Sequence, residues 1–346
     1  MSSPPSKHMA AVVPAKGQPL TVEERSTPTC GPKEVLIEVH AVALNPVDHV
    51  QRDLGWFLDE YPAIVGSDLA GIVVSNGSEN SSSTPKPRTR VIAFGSAFLH
   101  RGQPDYGALQ RYVVVSEDSV AALPDSYSFA EGSMFPMAAV VTWNAWFWAG
   151  LSIEPISLSE KKGILIWGAS SSMGAFAVQT AKLLGYTVYA TASSQHHAYL
   201  ETLGAARVFD YKRDSVSADI VGAAEEEGLS IEVGLHATGS QQTSIDVMSR
   251  LAKNSQAKLA IAPLLDKDAK IPDNVQTAFV QPPASPTARE ERMSWVFGTW
   301  LREHLAAKQL VASPHIKIVP GGLQAANQAL DELKAGVSCT KLVLEL

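Results

Sequence analysis

The spacing of hydrophobic positions changes twice along the chain. Up to about residue 122 they come in short runs between turn formers: Glu34-Val-Leu-Ile-Glu-Val-His40 alternates, residues 69–74 are apolar, and residues 112–115 close the series. A period of two marks half-buried strands, so this stretch predicts a β-rich module. Residues 75–88, dense in Ser, Asn and Pro, predict a solvated loop. From residue 129 onward strand and helix patterns take turns, with strands expected at 187–192, 207–209, 232–236 and 258–262. That alternation implies βαβ units on a parallel sheet. Residues 266–286 predict an irregular loop and 288–308 a helix, and the tail returns to strand 316–319, helix 323–334 and strand 341–345. The fold class expected is α/β, a doubly wound parallel sheet beside a β-rich domain.

Between the two patterns lies the most telling segment. Residues 164–174, Ile-Leu-Ile-Trp-Gly-Ala-Ser-Ser-Ser-Met-Gly, read as a buried strand entering a tight turn and then a helix over 175–185. Small residues there let a backbone approach a pyrophosphate, which free N–H groups and the positive end of the helix dipole would face. Ala169, Ser170, Ser171, Ser172, Met173 and Gly174 are thus the expected phosphate turn. Of the three glycines of G-x-G-x-x-G only the last stands, as Gly174, with Ala169 and Ser171 in the other two places. Ser193, Ser194 and Gln195 follow the next strand, about 20 residues beyond Gly174, where a ribose-reading group belongs. A site for NAD would carry Asp or Glu there. The serines can instead donate to a 2′-phosphate, and Tyr211, Lys212 and Arg213 follow a further strand at the same edge. Serines are also ordinary turn formers, so the expectation of NADPH rests chiefly on the missing acid.

Composition narrows the class. Of 346 residues 45% are hydrophobic and 18% charged, enough for two domains with proper cores. A net charge of −7 argues against general attraction to nucleic acid or to an anionic membrane. Two cysteines, Cys30 and Cys339, cannot build a zinc cluster or a disulfide framework. The polar start lacks a signal-like apolar region and no apolar stretch reaches spanning length, so a soluble, cytoplasmic protein is expected.

Several strings carry a resemblance. Lys33-Glu-Val-Leu-Ile-Glu-Val-His-Ala-Val-Ala-Leu-Asn-Pro-Val-Asp48, Tyr61-Pro-Ala-Ile-Val-Gly-Ser-Asp-Leu-Ala-Gly71, the turn from Gly168 to Gly174 and the ending Val337-Ser-Cys-Thr-Lys-Leu-Val-Leu344 are similar, in this order, to the medium-chain dehydrogenase/reductase superfamily. Asn45-Pro46-x-Asp48 and Tyr106-Gly-Ala-Leu-Gln-Arg-Tyr112 resemble its zinc-free quinone oxidoreductases and the fungal trans-acting enoyl reductases that serve polyketide synthases. The resemblance implies a GroES-like catalytic domain, residues 1–128 and 296–346, around a Rossmann domain, residues 129–295, with the active site between them. It also implies that Pro46, Asp48, Thr142, Thr238, Gly239, Leu264, Phe297 and Gly298 lie near the cofactor.

In the zinc-bearing members a Cys, a His and a further Cys or acid hold the metal, and the matching positions here are Asn45, Ser67 and about Met137, none a credible zinc ligand. No metal is therefore expected. Without one, conjugate reduction of an enone or enoyl thioester is the feasible chemistry, because modest donors can hold the developing enolate. Asn45 is the catalytic candidate, since its amide can donate; it can equally be a residue that fixes the turn before Pro46. A tyrosine acid found in related thioester reductases is replaced here by Phe57, which leaves water as the proton source. Trp56 and Phe57 are candidates to wall an apolar substrate channel. The expected partners are a small-molecule or carrier-bound enoyl substrate and a polyketide synthase, the chain acting as a monomer or homodimer. The alternative is a non-catalytic NADPH-binding protein with a structural or RNA-binding role.

Overall fold

The computed structural model describes residues 4–77, 85–253 and 255–346, so residues 78–84 of the expected loop lie outside the described residues. Two compact units divide the chain: Met1–Met137 with Ser285–Leu346, and Ala138–Ala284. Helix Phe129–Gly132, past the boundary expected at 128/129, falls in the first unit, where Ala130 and Met134 pack against Ala41, Ala43 and Val343. Helix Pro286–Trp295 falls there too.

In the first unit a sheet is built round Glu34–Ala43, which pairs antiparallel with Asp68–Asn76, Tyr112–Ser116 and Thr340–Glu345. Asp68–Asn76 continues to Arg90–Phe94 and that strand to Val120–Ala122, while His315–Ile318 runs parallel to Thr340–Glu345. The alternation of residues 34–40 predicts one wet face. Both faces are covered instead: Val35, Ile37 and Val39 enter one apolar cluster, and Leu36 packs with Tyr112 and Val114 in another. At the carboxyl end of the central strand, Ala43 stands opposite Asp68 on one side and Val343 on the other. Three strands therefore deliver their side chains to the turn that holds Asn45.

The second unit is a parallel sheet in the order Arg207–Phe209, Thr187–Thr191, Lys162–Trp167, Ser230–His236, Ala257–Ile261, Val275–Phe279. The chain winds outward from Lys162–Trp167 to one edge and then crosses over, so the strand order reverses between Lys162–Trp167 and Ser230–His236. Ligands of doubly wound sheets bind at the strand carboxyl ends beside such a point. Val275–Phe279 corrects the expectation of an irregular loop over 266–286. It is an edge strand in which only Val275 is buried, so its sequence shows no period of two. Helix Pro136–Ala149 buries Trp143 and Trp146 completely, and Trp146 Nε1 donates to Thr180 Oγ1 at 3.0 Å on helix Ser172–Leu183. The helix expected over 288–308 is interrupted: Pro286–Trp295 is α-helical, Val296–Leu301 is a π-helical segment, and Arg302–Ala306 is α-helical again. Among the described residues no helix is long and apolar enough to cross a membrane.

Candidate active site

Strand Lys162–Trp167 ends at Gly168, whose φ of +79° is open to glycine at little cost. A Cβ there would also meet Thr238 at 2.7–2.9 Å. Gly168 N donates to Thr191 Oγ1 at 3.0 Å and Ala169 N to the Thr191 carbonyl at 2.9 Å, which ties the turn to the neighbouring strand. Ser171 caps helix Ser172–Leu183: its Oγ accepts from Gly174 N at 3.1 Å and donates to the Gly168 carbonyl at 2.8 Å. A Cβ on Gly174 would lie 2.5 Å from that carbonyl oxygen. The tight-turn glycine is thus Gly168, one residue before the place at which the fingerprint spacing looked for it, and Gly174 allows the helix its close approach. The Ser172 hydroxyl at the helix start and the Thr142 hydroxyl are buried without a hydrogen-bond partner. Positive dipole end, free N–H groups and an orphaned hydroxyl suit a pyrophosphate.

At the ribose corner, Ser193 Oγ donates to Tyr211 OH at 3.3 Å, Gln195 Nε2 contacts His196 Nε2 at 3.1 Å, and Ser194, Tyr211, Lys212 and Arg213 are exposed. One acid stands at this corner that the sequence reading passed over. Asp210 accepts from the Lys212 backbone N–H at 3.0 Å and from that of Ser194, and these bonds hold its carboxyl below the usual range. Thr238 meets Gly168, and Gly239 takes a φ of +100°. The Leu264 carbonyl accepts from Gln241 Nε2 at 2.8 Å while its side chain is exposed. His236, the last residue of its strand, is buried; its Nδ1 is 2.9 Å from Ser244 Oγ, its Nε2 is unpartnered, and burial pushes its pKa down to about 4.

Asn45, Pro46, Asp48, Phe297 and Gly298 belong to the first unit. Phe297 is fully buried in the π-helical segment, and a Cβ on Gly298 would meet nothing within 4 Å. Asn45 precedes helix Pro46–Leu54, and its backbone N–H donates to Asp48 Oδ2 at 2.7 Å. Its side chain enters a buried polar cluster that sequence reasoning missed. Asn45 Nδ2 donates to Asp68 Oδ2 at 2.8 Å, Lys341 Nζ donates to Asn45 Oδ1 at 2.6 Å and to Asp68 Oδ2 at 3.2 Å, and Met137 N donates to Asp68 Oδ1 at 2.6 Å. Burial pushes the Asp48 carboxyl up to about 7; the Asn45 N–H opposes the shift and the nearby Asp68 adds to it. Asn45 is thus fixed by three neighbours, and one amide N–H, 3.4 Å from the Ala43 carbonyl, is left weakly engaged.

The positions that match the zinc ligands of relatives do not fit a metal. The Asn45 carbonyl is taken by Lys341, Ser67 offers a buried hydroxyl, and Met137 offers a thioether and a backbone N–H already given to Asp68. Among the described residues no group of three or more His, Cys, Asp or Glu could hold a metal ion. From this cluster an aromatic series leads outward. Phe94, opposite Asp68 in the sheet, contacts Phe98 at 5.6 Å between ring centroids, Phe98 contacts Phe57 at 6.3 Å, and Phe57 contacts Trp56 at 6.2 Å. Phe57 and Trp56 are exposed, and Phe57 holds a φ of +59°, an unusual conformation for a bulky side chain.

Comparisons with known proteins agree with this architecture. Residues 31–125 match the alcohol dehydrogenase GroES-like domain and residues 172–274 the zinc-binding dehydrogenase family. The chain is 45% identical to a trans-enoyl reductase, tndF, of Aspergillus flavipes over 98% of its own length and 99% of the relative's. A second, tazE of Aspergillus terreus, is 44% identical over 79% of this chain and 92% of the relative. Among solved structures, an alcohol dehydrogenase superfamily protein from Novosphingobium aromaticivorans shares the fold with a TM-score of 0.79 at 20% identity, covering 98% of this chain and 99% of that one.

Proposed function

Because the chain belongs to the medium-chain dehydrogenase/reductase superfamily, among its fungal enoyl-reductase-like members, we propose that it is a zinc-independent, NADPH-dependent reductase of activated C=C bonds. The substrate is an enoyl thioester, carried by a polyketide synthase, or a free enone or quinone. The observation that carries this reading is the Gly168 to Gly174 turn, with its capped helix and orphaned Ser172 hydroxyl, in a chain nearly half identical to a trans-enoyl reductase. In the proposal the second unit is the cofactor module. The turn residues 169–174 bind the pyrophosphate, Ser193, Ser194, Gln195 and Tyr211 hold the 2′-phosphate, and Lys212 and Arg213 add positive charge. The carboxylate of Asp210, committed to two backbone N–H groups, leaves that place to the hydroxyls. Thr142, Thr238, Gly239 and Leu264, all of this unit, line the rest of the cofactor site.

The first unit is the substrate module. When bound, the cofactor supplies hydride equivalents to the β-carbon. Asn45 directs its weakly engaged N–H to the carbonyl oxygen on which charge develops, a donor fixed before reaction and therefore costing no reorganisation. Phe57 and Trp56 offer an apolar wall to the acyl chain, and the α-carbon takes its proton from solvent.

The reading is tested by following NADPH absorbance with a panel of enones, quinones and enoyl thioesters in the presence of a strong chelator. Deuteride from labelled NADPH is expected at the β-carbon, and Asn45→Ala is expected to lower turnover on the order of 10²-fold with cofactor affinity little changed. Label on a carbinol carbon, or turnover that vanishes with the chelator, refutes it.

A further inference from the structure

The ammonium of Lys341 can only donate, and it stands 2.6 Å from one side-chain atom of Asn45, while Asp68 can only accept and stands 2.8 Å from the other. One amide orientation satisfies both. A flipped amide would set NH₂ against ammonium and carbonyl against carboxylate. The direction of the remaining N–H is therefore dictated from strand Thr340–Glu345, almost 300 residues away in sequence. We propose that Lys341 is a positioning residue for Asn45, and that its charge, drawn onto the amide oxygen, makes the remaining N–H the strong donor the reaction uses.

This rests on the reductase reading. The physical ground is polarisation in a dry site. Lys341 is 4% exposed and Asp68 not at all, so the ammonium field on the amide is little screened by water. Hydrogen bonds in series strengthen one another, and a carbonyl that accepts from a cation leaves its N–H more acidic. Packing alone does not call for the pair, since buried ion pairs are often replaceable by apolar residues of similar volume. The two acceptors account for two of the three ammonium protons.

The test compares Lys341→Met, which removes charge and donor, with Lys341→Gln, which keeps a neutral donor. Two readouts are used: the side-chain ¹⁵N–¹H resonances of Asn45, and steady-state kinetics on an enone. In Lys341→Met the Asn45 resonances are expected to shift and kcat to fall about tenfold with KM for NADPH within roughly twofold of wild type. Lys341→Gln is expected to hold the amide resonances near wild type and to recover only part of kcat. A folded Lys341→Met variant with unaltered resonances, or with full kcat, overturns the proposal. So does a Lys341→Gln variant as active as wild type, and so does failure of both variants to fold, which would assign the pair to folding alone. If the wild type reduces no C=C bond, the reductase reading fails, and the Asn45 resonances still decide whether Lys341 sets the amide.

Discussion

Replacing Gly174 with alanine places a methyl group 2.5 Å from the Gly168 carbonyl oxygen, 2.7 Å from the Ala169 Cα and 3.0 Å from Ser171 Oγ. Two of these are backbone atoms of the turn itself and the third is the helix cap, so no flexible side chain can absorb the clash. Overpacking of this kind costs about 1–3 kcal/mol when the backbone stays in place. Either the strain is kept, and the apo protein melts earlier, or the turn opens, and the N–H groups lose their aim at the pyrophosphate. In the second case the same energy is withdrawn from binding and raises the Kd for NADPH roughly 5- to 150-fold. The measurement is a fluorescence titration with NADPH beside a thermal melt without cofactor. Gly222→Ala is the control: Gly222 lies inside helix Val216–Glu227 with nothing within 4 Å of a Cβ, and alanine there should stabilise by about 0.5–1 kcal/mol and leave binding alone. A Gly174→Ala protein with wild-type melting and wild-type Kd would refute the assignment of this turn to the phosphates.

Three further outcomes are expected. Ser193→Asp should reverse a preference for NADPH over NADH of roughly tenfold or more, the worth of a charge-assisted hydrogen bond of about 1.5–3 kcal/mol, and equal wild-type affinities in a titration of both cofactors would sink the idea. Burial raises Asp48 from 3.8 to about 7, so its stability contribution is full below the unfolded pKa and lost as pH rises through 7, by up to about 4 kcal/mol. Asp48→Asn should flatten that decline in a melting profile between about pH 4 and 8; an unaltered slope counts against a buried, titrating carboxyl. His236 runs the other way: held down at about 4 from 6.5, it favours the fold above 6.5 and withdraws about 3 kcal/mol as pH falls through 4. His236→Gln should remove that acid-side loss, and a variant that keeps the wild-type acid limb shows the ring to be accessible to water.

Much of the second unit could be read ahead because its strands are buried on both faces and end in turn residues, a pattern that survives without partners being known. The edge strand Val275–Phe279 was lost because one buried residue in five carries no periodicity. Gly168 was available from the sequence as the first member of a Gly-x-x-Ser-x-x-Gly spacing, had the template been shifted by one residue. Asn45 was singled out as a donor, but its partners were not, because Asp68 lies 23 residues and Lys341 296 residues away. A lysine immediately before Leu342-Val-Leu344 is a local hint, since its side chain shares the face of Val343 that packs on Ala43. Asp210 escaped because the fingerprint looks for an acid after the second strand, whereas the corner is shared with the third.

Strand Thr340–Glu345 lies between His315–Ile318 and Glu34–Ala43, and it brings the ammonium that Asn45 and Asp68 share. On a translating ribosome it is the last of these strands to emerge. Until then the Ala41–Ala43 end of Glu34–Ala43 has a bare edge, Asp68 lacks the Lys341 ammonium, and the amide of Asn45 has no fixed direction. A chain released before that strand, by a stop codon or a protease, therefore carries the glycine turn of the second unit but a donor whose direction nothing fixes. Synthesis order thus imposes a check on the first unit: the strand that orients the amide of Asn45 is made after every other strand of its sheet.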